Sequence, residues 1–269
     1  MITLNECLRD DTNIMLVRPE KEKKIFSFLK SKDGKIYRKG FNHAEFVGEY
    51  LCGIRNLRCS HYFLVHEGDY ETNSVSKFGD LDVSWNHIGV GSYDFKRPSK
   101  SYFDLNTLGI SRVGYPDWLS KLLSMAPNRK NRRELLNELE ELIALDTFMG
   151  QTDRTGTNIM IERNRLTREL HLAPIYDFQC SLYTGYADPK VIYNNNLHPL
   201  ATVEDYQQLI AEYPELSEKL KSYLDVDLID SIRKSYRLNG LEVPDESLSS
   251  YVDFQEQKKQ LIRTITRTK

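Results

Sequence analysis

The chain has 269 residues, 40% of them hydrophobic and 28% charged, with a formal net charge of -2. That is enough apolar material for one sizeable core or two tightly packed lobes, and it creates no strong field toward nucleic acid or an anionic membrane. No stretch approaches the ~20 apolar residues of a membrane span, and Met1 to Glu6 lacks a basic-then-apolar leader.

The first apolar run is Asn13 to Val17. A charged turn, Arg18-Pro19-Glu20-Lys21-Glu22-Lys23, follows and holds no Gly or Ser, so it cannot form a close glycine cradle for phosphates. Lys24 to Lys30 has strand composition, Lys32-Asp33-Gly34 is a hairpin-turn signal, and Lys35-Ile36-Tyr37-Arg38-Lys39 is the matching strand. His43 to Leu57 is helical by the spacing of Phe46, Tyr50, Leu51 and Ile54; Glu45 and Glu49 lie one turn apart on it. Ser60 to Val65, Val75 to Lys77 and Ile88 to Phe95 read as strands. Gly89-x-Gly91 is too short for a dinucleotide motif and reads as close strand packing. Lys96 to Asn106 is polar and reads as a link.

The composition then turns helical. Pro116-Asp117-Trp118-Leu119 opens a helix to Met125, broken by Pro127-Asn128. Leu135, Leu136, Leu139, Leu142, Ile143, Phe148 and Met149 predict a buried helix over residues 130–149, stopping at Gly150. Residues 150–158 read as a loop, Ile159 to Ile161 as a short strand, Asn164-Arg165 as a turn and Leu170 to Ile175 as a second strand. Residues 179–199 are irregular. The tail is helical: residues 203–212 behind a Thr202 cap, a helix from Tyr213-Pro214, a third ending near Asn239-Gly240, and a last one within 244–266. Cys7, Cys52, Cys59 and Cys180 form no C-x-x-C pair and fit reduced thiols in a cytoplasmic protein. The six histidines do not cluster: His61 and His66 fall on opposite faces of a strand, a poor metal pair. No Gly-x-Ser-x-Gly elbow points to a hydrolase.

The chemistry concentrates in Gly150-Gln151-Thr152-Asp153-Arg154-Thr155-Gly156-Thr157-Asn158 and in Ala173-Pro174-Ile175-Tyr176-Asp177-Phe178. Phosphoryl transfer needs one carboxylate for the attacking hydroxyl, and an amide oxygen with a second carboxylate for Mg²⁺. Asp153, Asn158 and Asp177 have that order and near that spacing.

This segment resembles the catalytic segment of the HipA-like serine/threonine kinases, which read roughly G-N-T-D-x-H-x-x-N and later L-(S/A)-P-x-Y-D. It is also similar to the phosphoinositide kinases, their distant relatives. The Pro-x-Tyr-Asp ending, the Gly89-to-Phe95 strand and the tail "Tyr213-Pro214-Glu215-Leu216 … Leu224-Asp225-Val226-Asp227-Leu228" favour the HipA-like side. The likeness covers residues from about 35 onward, strongly in 142–178. Two departures stand out: Thr155 replaces the usual His, and Gln179 stands where lipid kinases have Gly.

The resemblance implies an α+β, two-lobed kinase-like fold: a small antiparallel-sheet lobe over residues 1–98 and a helical lobe over 99–269. It implies an ATP- and Mg²⁺-dependent protein kinase in which Asp153 serves the acceptor hydroxyl, Arg154 steadies the loop, and Asn158 and Asp177 hold Mg²⁺. A lysine of the third strand would bind phosphate; Lys39 is the candidate, with Lys35 and Arg38 as competitors. Its partner would be Glu49, chosen over Glu45 because Glu49-Tyr50-Leu51-Cys52 resembles the family's Glu-Tyr-Phe-Cys. The implied partners are a protein substrate, such as a translation component, and a separate antitoxin, with no nucleic acid bound directly. Two alternatives stand beside this reading: a phosphoinositide-type lipid kinase, and a nucleotide-binding pseudokinase.

Overall fold

The computed structural model describes residues 28–30, 35–39, 43–66, 87–93, 95–110, 117–151, 154–178, 181–182, 202–243 and 245–267. The expected strand at 75–77 and the irregular segment 183–199 lie outside them.

The first sheet is built from β1 (Phe28–Lys30), β2 (Lys35–Lys39), β3 (Tyr62–His66) and β4 (His87–Tyr93) in the order β1-β2-β4-β3, all antiparallel. Phe28 pairs with Arg38, Lys39 with Gly89, and Tyr62 with Ser92. Between β2 and β3 runs helix α1 (His43–Ile54). The second sheet holds β5 (Lys100–Asp104), β6 (Met160–Asn164) and β7 (Leu170–Leu172), again antiparallel. β5 is a correction: Lys96 to Asn106 reads as a polar link, yet Lys100 to Asp104 pairs residue for residue with Asn164 to Met160. The charges at its two ends mask Tyr102 and Phe103, whose aromatic side chains favour a strand. β7 is shorter than the sequence suggests. Pro174 has no N–H for a ladder, and beyond it Ile175 makes one isolated parallel bridge, to Cys59.

The helices are α2 (Asp117–Ser124), α3 (Arg129–Met149), α4 (Val203–Glu212), α5 (Glu215–Lys221), α6 (Leu228–Leu238) and α7 (Ser249–Ile265), the last entered through a short 3-10 turn, Asp245–Leu248. α3 is the spine. The Asn128 side chain caps it by accepting from the Asn131 N–H at 2.9 Å, and every residue from Leu142 to Met149 is buried. Buried Asn131 exchanges two hydrogen bonds with the Leu170 backbone, at 2.8 and 2.9 Å, which fixes β7 against the helix. Thr202 and Asp205 close a reciprocal cap on α4. The Tyr206 hydroxyl on that helix meets Thr147 Oγ1 at 2.8 Å, and Tyr223 stacks on Phe148 at 5.1 Å. One continuous core runs from Phe46, Val47 and Leu51 of α1 through α3 to Ile262 and Ile265 of α7.

Candidate functional site

The site grows from the end of α3. Gly150 stops the helix with φ 61°, a left-handed conformation that costs glycine nothing. Crowding adds a second reason for glycine there: a Cβ would meet Lys258 Cε and Phe254 Cζ of α7 at 3.0 Å. Lys258 lays its amine over the Phe254 ring, 5.3 Å from the centroid, and burial lowers its pKa to about 8. The Gln151 N–H donates to the Asp146 carbonyl at 2.9 Å, completing the turn.

Arg154 is the fastener of the loop. It is fully buried, and its Nε and Nη2 donate to the two oxygens of buried Asp146, both at 2.8 Å. This two-pronged fit uses the planar guanidinium in a way lysine could not. The remaining nitrogen, Nη1, donates to the carbonyls of Tyr176 and Asn158, the latter at 3.4 Å. The guanidinium also lies 5.5 Å from the centroid of the Phe178 ring. One side chain therefore ties the helix end, the loop and the Tyr176–Phe178 segment together.

That segment is held from three further sides. Asp177 is buried and left-handed, with φ 64°. Its N–H donates to the Tyr62 hydroxyl at 3.1 Å, and its carbonyl accepts from Gln151 Nε2 at 2.8 Å. The next N–H, of Phe178, donates to Glu45 Oε2 at 3.0 Å. The Phe178 ring presses on α1 at Gly48, where a Cβ would come within 2.4 Å of it. Asn158 leaves the loop half-buried, its N–H on the Thr155 carbonyl at 2.9 Å. Thr155 and Thr157 share a hydroxyl hydrogen bond at 2.7 Å, and the Tyr176 hydroxyl donates to the Thr157 carbonyl.

The structure thus brings Arg154, Asn158 and Asp177 into one bonded unit. Asp153 lies outside the described residues, as do the side chains of Lys35, Arg38 and Lys39; the Lys39 backbone belongs to β2, opposite Gly89. Glu49 turns elsewhere: its carboxylate accepts from the Tyr62 N–H at 2.9 Å and faces His61 Nδ1 at 2.8 Å. Glu45, one turn before it, is the carboxylate that reaches the Asp177-Phe178 segment, and it is fully buried. Four residues that sequence reasoning passed over hold the site: Asp146, Gln151, Tyr62 and Gly48. For Asp146 a signal existed, since an acid inside the apolar run 142–149 needs a buried cation. The Asn158 amide oxygen and Asp177 carboxylate are hard oxygen donors of the kind Mg²⁺ takes, in the small number that suffices when substrate phosphates complete the shell.

No protein-family model and no curated protein matches the sequence. Solved structures do match. The Helicobacter pylori proinflammatory kinase CtkA superposes with a TM-score of 0.61 at 15% identity, covering 90% of this chain and 92% of that one. A chain from the Shewanella oneidensis MR-1 toxin–antitoxin complex of HipA, HipB and operator DNA superposes with the same TM-score of 0.61 at 12% identity, covering 97% of this chain and 70% of that one. The mixed fold described above is therefore shared with CtkA and with that chain of the HipA–HipB complex.

Proposed function

We propose that this protein is a HipA-like kinase that transfers the γ-phosphate of ATP, with Mg²⁺, to a serine or threonine hydroxyl of a protein substrate. One observation carries the reading: Arg154 fastens the backbone at one oxygen donor, Asn158, and at Tyr176, the residue before the other, Asp177, and it does so from the loop whose sequence includes Asp153. In this reading Asp153 orients or deprotonates the acceptor hydroxyl, and Asn158 and Asp177 hold the metal. Bound Mg²⁺ would neutralise charge developing on the transferred phosphoryl group. Lys39 meets the phosphates from β2. Glu45 replaces Glu49 as its partner, because Glu45 is the carboxylate that touches Phe178. The Asp146–Arg154 pair supplies loop rigidity where Thr155 stands in place of the family's His. Residues 1–98 and 99–269 would form the two lobes, with the nucleotide between them. A separate antitoxin partner and a cytoplasmic location belong to the same reading; among the described residues no helix is long and apolar enough to cross a membrane.

The test is transfer of label from γ-labelled ATP with Mg²⁺, to the protein itself and to a generic protein acceptor. Wild type should label; Asp153→Ala and Asp177→Asn should not. Glu45→Gln should fall as far as Lys39→Ala, and Glu49→Gln should keep most of the activity. Loss in Glu49→Gln with Glu45→Gln unimpaired would reverse that assignment. A wild type that neither labels nor binds Mg-ATP by calorimetry would overturn the kinase reading.

A further inference from the structure

A cleft of about 940 Å³ opens between α1, the segment 57–62, residues 95–100 and the end of α6. α1 divides its surface: Glu45 and Gly48 face Phe178, whereas Phe46, Tyr50, Gly53 and Ile54 line the cleft. The floor is apolar, with Phe46, Leu57 and Pro174. Two exposed aliphatic side chains also line it, Ile54 at 49% and Leu238 at 75%.

The rim is cationic. Among the described lining residues, Arg58, Lys96, Arg97 and Lys100 stand beside two carboxylates, Glu49 and Glu162. Both carboxylates are already committed. Buried Glu162 accepts from Lys100 and from Arg58 Nη1 at 2.6 Å, and those two cations hold its carboxyl below the usual range against the opposing effect of burial. Glu49 is taken by the Tyr62 N–H and His61. The acids are thus satisfied inside the protein, and exposed Arg97 adds charge that no described carboxylate answers.

We propose that this cleft is a docking site for a protein segment that carries acidic residues around apolar anchors. The apolar floor and the exposed Ile54 and Leu238 would take the anchors; Arg97, with the rim, would take the carboxylates. A nucleic acid would want exposed aromatic faces for its bases along a basic track; here the lining aromatics Phe46, Tyr50, Tyr62 and Phe95 are buried or half-buried, and the exposed apolar side chains, Ile54 and Leu238, are aliphatic. A preformed concave site with a charged rim is the arrangement by which anchored peptides gain both affinity and register.

The test is selection of a random phage-displayed peptide library on the immobilised full-length chain, followed by fluorescence anisotropy with the enriched peptides made synthetically. The variants are Arg97→Glu and the double change Ile54→Ser/Leu238→Ser, all on exposed positions, with thermal unfolding to check that each folds. We expect enrichment of acidic peptides with leucine- or phenylalanine-like anchors, binding that weakens with salt, and a loss of about tenfold or more in each variant, the size of a single hot-spot residue. No enrichment, enrichment of non-acidic peptides, equal binding to folded variants, or displacement by a single-stranded oligonucleotide would each overturn the proposal. ATP does not enter this assay, so its failure and that of the kinase reading are separate outcomes.

Discussion

Replacing Gly48 by alanine tests how firmly the Asp177-Phe178 segment is seated. The added Cβ would fall 2.4, 2.5 and 2.7 Å from three atoms of the Phe178 ring. Ordinary carbon contacts lie near 3.5–4.0 Å, so about 1 Å must be found. The ring has little room to retreat: it is fully buried, its own N–H is held by Glu45, and the Arg154 guanidinium lies 5.5 Å away. Overpacking of this kind costs about 1–3 kcal/mol. Against it stands the gain from alanine in a helix, up to about 1 kcal/mol. A net loss of about 1–2 kcal/mol is expected in urea unfolding, and, on the proposed function, a larger loss of phosphotransfer, because displacing Phe178 moves Asp177. Phe178→Ala removes all three of those ring atoms. In that background Gly48→Ala should be neutral or stabilising, giving a coupling of about 2 kcal/mol in a double-mutant cycle. Additivity of the two changes to within about 0.5 kcal/mol, or a Gly48→Ala protein more stable than wild type, would refute the tight contact.

The other predictions concern buried charge. Asp146→Ala leaves the Arg154 cation without its two-pronged partner and should cost about 3–5 kcal/mol in urea unfolding, much of it recovered by adding Arg154→Met. A double variant no more stable than Asp146→Ala would show that the pair does not act as a unit. Burial raises the Glu140 pKa from 4.5 to about 7, so the folded state binds more protons in that window and stability from this group falls as pH rises through it. Glu140→Gln should therefore stabilise the protein above pH 7, by at most about 3 kcal/mol, and change little near pH 4.5; equal effects at both pH values would contradict the assignment. Lys258 has the opposite sense: its folded pKa of about 8 lies below the free value of 10.5, so the unfolded chain binds more protons between them and stability rises with pH there. Lys258→Met should abolish that rise in melting temperature between pH 8 and 10, before the buried tyrosines, whose pKa values burial raises, begin to matter.

The elements legible in the sequence were those whose signals are local. The leucine period gave α3 to within a residue of its start, and Thr202 and Asn239 mark real caps because capping is decided within four residues. β5 was hidden because its partner, β6, lies about sixty residues downstream, and two charged ends outweighed Tyr102 and Phe103 in composition. Glu45 and Glu49 show the same limit at the site. Helical periodicity places both on one side of α1, and what separates them is the Phe178 N–H, 133 residues away. The likeness to Glu-Tyr-Phe-Cys singles out Glu49, whereas the carboxylate bonded to the Phe178 N–H is Glu45. Arg154 was legible as a loop residue but not as the buried partner of Asp146, since the two lie eight positions apart across the helix end that makes the pairing geometric.

The left-handed backbone at Asp177 limits which residues evolution can try there. Asparagine, aspartate and glycine enter that region at little cost, whereas other L residues meet a steric penalty of about 1 kcal/mol or more. Among these three only aspartate offers a charged ligand, and asparagine keeps its size and reach. The backbone has thus narrowed the alphabet at position 177 before any chemistry is asked of it. On the proposed function, a descendant that lost activity would most readily carry asparagine or glycine there, with its fold unchanged and its neighbours Tyr62, Gln151 and Glu45 still bonded as before.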